Sequence, residues 1–106
     1  MPSELAPLEL KSLWDRGESP FVVDVREDWE LGIAKLPHVV HMPMNDVPQR
    51  LDELPRDRRI IVMCRSGGRS MQVARFLERK GFGPVANLTG GILAWRDAID
   101  PSLAAY

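Results

Sequence analysis

The chain's only cysteine, Cys64, is followed by two guanidinium groups, two hydroxyls and two glycines in the run Arg65-Ser66-Gly67-Gly68-Arg69-Ser70. A thiol is a nucleophile only as its thiolate, and an ordinary pKa of about 8.5 leaves little thiolate at neutral pH. Two features of this run can lower that value. Arg65 and Arg69 bring positive charge. A short loop feeding a helix also turns successive backbone N–H groups toward one point, which favours an anion there. Gly67 and Gly68 read as positions where the backbone takes positive φ and comes close to a substrate. The competing reading is a small buried hydrophobe, the commonest role of an isolated cysteine. The cationic, glycine-rich run that follows favours the reactive role.

The elements around the run should hold it in place. Ile60-Ile61-Val62-Met63 is apolar throughout and rich in β-branched residues, as expected of a strand buried on both faces of a parallel sheet. Cys64 then stands at the carboxyl end of that strand, the end at which open α/β sheets bind ligands. Residues 71–80 have a helical pattern with Val73, Ala74, Phe76 and Leu77 as its buried side, so a helix should begin near Arg69 or Ser70. It should stop at Lys80, with Gly81 left-handed and Phe82 folded back on Leu77.

A second strand is expected over 21–25, announced by Ser19-Pro20, with Asp24 near its carboxyl end. A carboxylate there is either a buried structural acceptor or a catalytic group. Elsewhere the pattern predicts a short edge strand over 3–6 and a helix over 8–16 ended by Gly17. An acidic helical turn over 27–31 should end at Gly32, and a weaker strand should follow over 39–42. Residues 45–54 read as a helix capped by Asn45 or Asp46 with Val47, Leu51 and Leu54 inward. A strand over 85–88 and the turn Thr89-Gly90-Gly91 then lead into a helix over 92–98. The tail from Asp100 carries no pattern. Strands alternating with helices have the rhythm of a parallel α/β sheet.

With 106 residues there is room for one domain spanning 1–106, and 44% hydrophobic with 27% charged residues is the make-up of an ordinary globular chain. Lys plus Arg at 14 against Asp plus Glu at 15 leaves a net charge of −1, so no global field gathers nucleic acid or an anionic membrane. Acids and prolines in the first thirty residues break any export signal, and no apolar stretch approaches the roughly 20 residues of a membrane span. One cysteine excludes an internal disulfide and a cysteine metal cage. A cytoplasmic location is expected. His38 and His41 are too poorly placed along a strand to share a metal, and neither a metal nor a cofactor is implied.

The run from Cys64 to Arg69 resembles the active-site loop of the rhodanese family of sulfurtransferases, in which a catalytic cysteine opens a six-residue loop that closes on arginine. Val23-Asp24-Val25-Arg26-Glu27 is similar to the family's Asp-Val-Arg segment, Ile33-Ala34-Lys35-Leu36-Pro37 to its Ala-His-Ile-Pro segment, and Leu88-Thr89-Gly90-Gly91-Ile92-Leu93-Ala94-Trp95 to its Gly-Gly helix start. The chain departs from the pattern at Lys35, where the family usually has His, and at His38, where it usually has Gly. A non-glycine at such a turn changes the backbone angle or carries strain of about 1 kcal/mol or more.

The resemblance implies a rhodanese-like three-layer α/β/α fold, a mostly parallel sheet of about five strands flanked by helices. It implies Asp24 and Arg26 as paired structural supports rather than proton-transfer groups. It also implies sulfur transfer through a persulfide on Cys64. The donor would be thiosulfate or a persulfide and the acceptor cyanide, a thiol or a sulfur-carrier protein. Arg65 would meet the donor's sulfonate, Arg69 would brace the loop, and the N–H groups from Ser66 through Gly67, Gly68 and Arg69 to Ser70 would cradle the sulfur. Two other readings share these residues: a phosphatase-like enzyme, disfavoured because that branch uses a loop one residue longer, and a non-catalytic interaction module of the same fold.

Overall fold

The computed structural model describes all of residues 1–106. Five strands, β1 (Ser3–Leu5), β2 (Phe21–Asp24), β3 (Val39–His41), β4 (Ile60–Met63) and β5 (Val85–Leu88), form one sheet in the order β1-β5-β4-β2-β3. Every pairing is parallel. Four helices join them: α1 (Pro7–Asp15), α2 (Asp28–Leu31), α3 (Gly68–Arg79) and α4 (Gly91–Ala98).

The alternation of side chains along β4 divides the core in two. Ile60, Val62 and Cys64 lie with Val73, Ala74 and Leu77 of α3, whereas Ile61 and Met63 lie with Leu10 of α1 and Ile92 and Trp95 of α4. Successive strand residues point to opposite faces, so a strand covered by helices on both sides has to be apolar at every position. The four residues of β4 are all buried. The expected α/β sheet with flanking helices is therefore the architecture found.

Gly81 ends α3 with φ +88°, and the Phe82 N–H bonds the Leu77 carbonyl at 3.0 Å while both side chains are buried together. This is the helix stop expected from Gly81 and Phe82. His38 keeps the left-handed backbone of a turn glycine, at φ +60°, and its ring packs edge-on to Trp14 at 5.5 Å.

Two expectations are corrected. Residues 45–54 do not form an α-helix. They make two 3₁₀ segments, Met44–Gln49 and Leu51–Glu53, separated by Arg50 at φ −122°. Pro48 has no N–H to give the ladder, and neither Asn45 nor Asp46 caps, since Pro43 holds the cap position without a side-chain bond. Val47 and Leu54 still reach the core beside α3. Secondly, α3 begins at Gly68, ahead of Arg69, because Gly67 at φ +107° already turns the chain into it. The tail, which carries no pattern in the sequence, packs against the body: Leu103 and Tyr106 lie on the α1/α4 side of the core.

Candidate active site

Cys64 follows the last residue of β4, and its Sγ lies under the first turn of α3. The Gly67 N–H donates to it at 3.1 Å and the Ser70 N–H at 3.4 Å. Gly67 is the cap residue of α3 and Ser70 its third helical residue, and no capping side chain serves this helix end. Sulfur therefore fills the place of the oxygen that ordinarily accepts the unpaired N–H groups of a helix start. The Ser70 hydroxyl adds a contact at 3.3 Å. Cys64 is only 1% exposed and touches the apolar core, yet its sulfur is met by these donors.

The N–H groups point inward because the loop's carbonyls are held outward. The Ile92 N–H bonds the Cys64 carbonyl at 3.0 Å and the Leu93 N–H bonds the Arg65 carbonyl at 3.1 Å, so the start of α4 fixes the back of the loop. Only a glycine allows this approach. A Cβ on Gly91 would lie 2.4 Å from the Cys64 carbonyl oxygen and 2.5 Å from the Arg65 carbonyl carbon and oxygen, at a backbone φ of +62°. The Thr89-Gly90-Gly91 turn thus shapes the loop as well as opening a helix.

Burial pushes the Cys64 thiol up, but hydrogen bonds from the Ser70 hydroxyl and amide and from the Gly67 and Ser66 amides outweigh it and hold the thiol below its ordinary value. Of the two features offered by the sequence, the backbone N–H groups, joined by the Ser70 hydroxyl, lower the thiol ahead of guanidinium charge. Both arginines are engaged elsewhere. Arg69 makes a two-pronged pair with Glu30, Nη1 to Oε1 at 2.6 Å and Nη2 to Oε2 at 2.8 Å. Arg65 directs Nε and Nη2 at the carbonyl oxygen of Tyr106. Of the glycines, Gly67 takes positive φ, but Gly68 does not: it is the first residue of α3, with open space where a Cβ would stand. The Gly67 and Ser70 amides bond the Cys64 sulfur itself, whereas those of Gly68 and Arg69 do not.

Asp24 and Arg26 are both fully buried. Arg26 Nε lies 3.0 Å from each Asp24 carboxylate oxygen and its Nη2 2.8 Å from Oδ2. The remaining guanidinium hydrogens go to the Ala34 carbonyl at 2.9 Å, the Tyr106 hydroxyl at 2.8 Å and the Glu30 carbonyl at 3.4 Å. The pair pins the segment after α2 to the end of β2. His38 and His41 do not meet, since His41 bonds the Arg26 carbonyl at 2.7 Å and His38 faces Trp14.

Three groups of the site carried no chemical reading in the sequence. Glu30 looked like one acid of a helical turn, but its side chain is 3% exposed and, besides Arg69, it accepts the Tyr106 hydroxyl at 2.7 Å. Arg69 foremost among its partners, with the Glu27 amide and Tyr106, pulls the Glu30 carboxyl down to about 2 against the opposing effect of burial. Asn87 on β5 accepts the Ser70 hydroxyl and donates to the Gly67 carbonyl at 3.3 Å and to Glu4 of β1. An amide at an inward position of an otherwise apolar strand was the available signal. Tyr106 sits in the tail and left no pattern at all.

Compared with known proteins, residues 6–98 match the family described as "Rhodanese-like domain". The chain is similar to the YtwF protein of Bacillus subtilis (strain 168), at 37% identity over 98 residues, or 92% of this chain and 94% of that one. It is also similar to a protein of Allochromatium vinosum named "Sulfurtransferase", at 41% identity over 78 residues, covering 74% of this chain and 73% of that one. Among solved structures, a rhodanese-like domain protein from Staphylococcus aureus superposes with a TM-score of 0.85 at 28% identity and 98% coverage of both chains.

Proposed function

Since this chain belongs to the family of rhodanese-like domains, we propose that it is a sulfurtransferase that carries sulfur as a persulfide on Cys64. The observation that carries the proposal is the Cys64 sulfur seated on the Gly67 and Ser70 amides at the start of α3. That seat stabilises a thiolate at Sγ, and the loop amides that do not reach Sγ are the ones left to face the outer sulfur of a persulfide.

In the first half-reaction the Cys64 thiolate attacks the outer sulfur of a donor such as thiosulfate. The donor's S–S bond breaks and sulfite leaves with its electron pair. In the second, cyanide or a cellular thiol attacks the outer sulfur of the persulfide and the Cys64 thiolate is restored. Neither step needs a proton-transfer residue, which fits a site whose cysteine has no histidine partner. Arg65 is the group assigned to the donor's anionic oxygens at the mouth, and Arg69, tied to Glu30, holds the loop against α2. A sulfur-carrier protein as acceptor and a cytoplasmic setting belong to the same proposal. No helix is long and apolar enough to cross a membrane.

Intact-protein mass tests the reading. Exposure to thiosulfate, followed by removal of excess reagent, is expected to add one sulfur atom to the wild type and none to Cys64→Ser, with both folded. A serine variant that still gains sulfur would remove Cys64 from its role. An unmodified wild type with a reactive thiol would remove thiosulfate as the donor, and the same result with a persulfide donor would leave the interaction-module reading in its place.

A further inference from the structure

The last residues of the chain run to the active-site mouth. Leu103 is anchored by packing against the core and by the Arg96 Nε bond to its carbonyl at 2.7 Å. Ala104 and Ala105 are exposed, and Tyr106 is docked again. The phenol is held from several sides: its hydroxyl accepts from Arg26 Nη1 at 2.8 Å and donates to Glu30 Oε2 at 2.7 Å. Its ring meets Trp29 edge-on at 6.2 Å and lies under the Arg65 guanidinium at 5.2 Å. Its carbonyl oxygen takes two prongs of Arg65.

We propose that Tyr106 determines donor specificity by occupying the oxygen seat on Arg65, so that residues 104–106 act as a strap that a small anionic donor has to displace. A guanidinium fork is a fixed array of donors suited to an oxygen pair of an anion. With two of its N–H groups already on a carbonyl, it is a poor seat for a sulfonate until the strap lifts. The anchor at Leu103 and the bare Ala104-Ala105 link make residues 104–106 the part that moves. The proposal rests on the assignment of Arg65 to donor oxygens made above.

The test compares the wild type with Tyr106→Ala and Tyr106→Phe. Cys64 is alkylated in parallel with iodoacetate, an anion, and iodoacetamide, its neutral counterpart, and thiosulfate turnover is measured alongside. Tyr106→Ala is expected to raise the iodoacetate-to-iodoacetamide rate ratio by roughly fivefold or more and to lower the thiosulfate KM by a similar factor. Tyr106→Phe, which loses only the hydroxyl bonds, should fall between. Arg65→Ala, lacking the seat, should depress the ratio below that of Tyr106→Ala. An unchanged ratio in Tyr106→Ala, or a raised thiosulfate KM, would overturn the strap. The alkylation ratio decides the matter even if thiosulfate proves inert, in which case the choice of thiosulfate as donor fails alone.

Discussion

Ser70 meets the Cys64 sulfur through two atoms, its hydroxyl at 3.3 Å and its amide at 3.4 Å. The amide contact comes with the helix start, whereas the hydroxyl is a property of the side chain alone. A neutral thiol can donate to the hydroxyl while the hydroxyl donates to Asn87. On ionisation the hydroxyl can turn its proton to the sulfur instead. Ser70 can thus serve both protonation states, but it helps the thiolate more, because hydrogen bonds to charged groups are the stronger ones.

Ser70→Ala is expected to move the pH midpoint of Cys64 alkylation upward, toward that of an ordinary thiol. Removing the hydroxyl takes away a side-chain bond that favours the ionised form. At neutral pH the iodoacetamide rate should fall by roughly tenfold or more, the size expected for one lost charge-assisted bond. Near-UV circular dichroism should be unchanged. A midpoint that stays in place would mean that the two amides alone set the thiol.

Gly91→Ala should damage the loop from a distance. The added Cβ would collide with backbone atoms of Cys64 and Arg65 at 2.4 and 2.5 Å, which cannot swing aside as a side chain can, and φ +62° is strained for alanine. A loss of about 2 kcal/mol or more is expected in a urea titration, together with slower Cys64 alkylation as the amides tilt away from the sulfur. Stability within experimental error of the wild type would contradict this account.

Gly68→Ala should do the opposite, although the two glycines of the loop look alike in the sequence. Gly68 is helical and faces open space, so alanine there should stabilise α3 by about 0.5–1 kcal/mol. The urea midpoint reads this directly. If stability rises while thiosulfate turnover falls, the open space beside Gly68 is used by the donor, which would be a role for the glycine in binding rather than in folding.

The contrast between Gly67 and Gly68 shows where the sequence stopped being informative. A strand buried on both faces leaves its mark in four consecutive apolar residues, and a cysteine at its carboxyl end followed by glycines and arginines is a local pattern. Ile60 to Ser70 could therefore be read directly. Which glycine bends, and which N–H groups reach the sulfur, depends on where α4 docks on the loop's carbonyls. That docking joins residues far apart in the chain. Glu30 was misjudged for the same reason: its helical turn is visible, but Arg69 lies 39 positions away in the chain. Residues 45–54 failed differently, because apolar spacing suits an α-helix and a 3₁₀ segment alike, and Pro48 and Arg50 decide between them. Tyr106 follows two alanines, and nothing in such a tail forecasts its partners.

The Glu30 and Arg69 pair gives the molecule an acid-side sensitivity whose direction follows from the carboxyl. In the folded chain Glu30 stays ionised down to about 2, chiefly because Arg69 bonds it, against an ordinary value of 4.5. As pH falls past about 4.5 the unfolded chain takes up the proton first, so stability contributed by the pair is complete above that value and drains away toward 2. With Arg69 36% exposed, the contribution is on the order of 1–3 kcal/mol. Glu30→Gln should be less stable than the wild type at pH 7 and should lose less on acidification across this window. It should also loosen the loop, read as a changed Cys64 alkylation rate in the variant at pH 7. Parallel urea titrations at pH 7 and pH 3 check the sign: two lines that fall equally steeply would show that other carboxylates, and not Glu30, govern the acid limb.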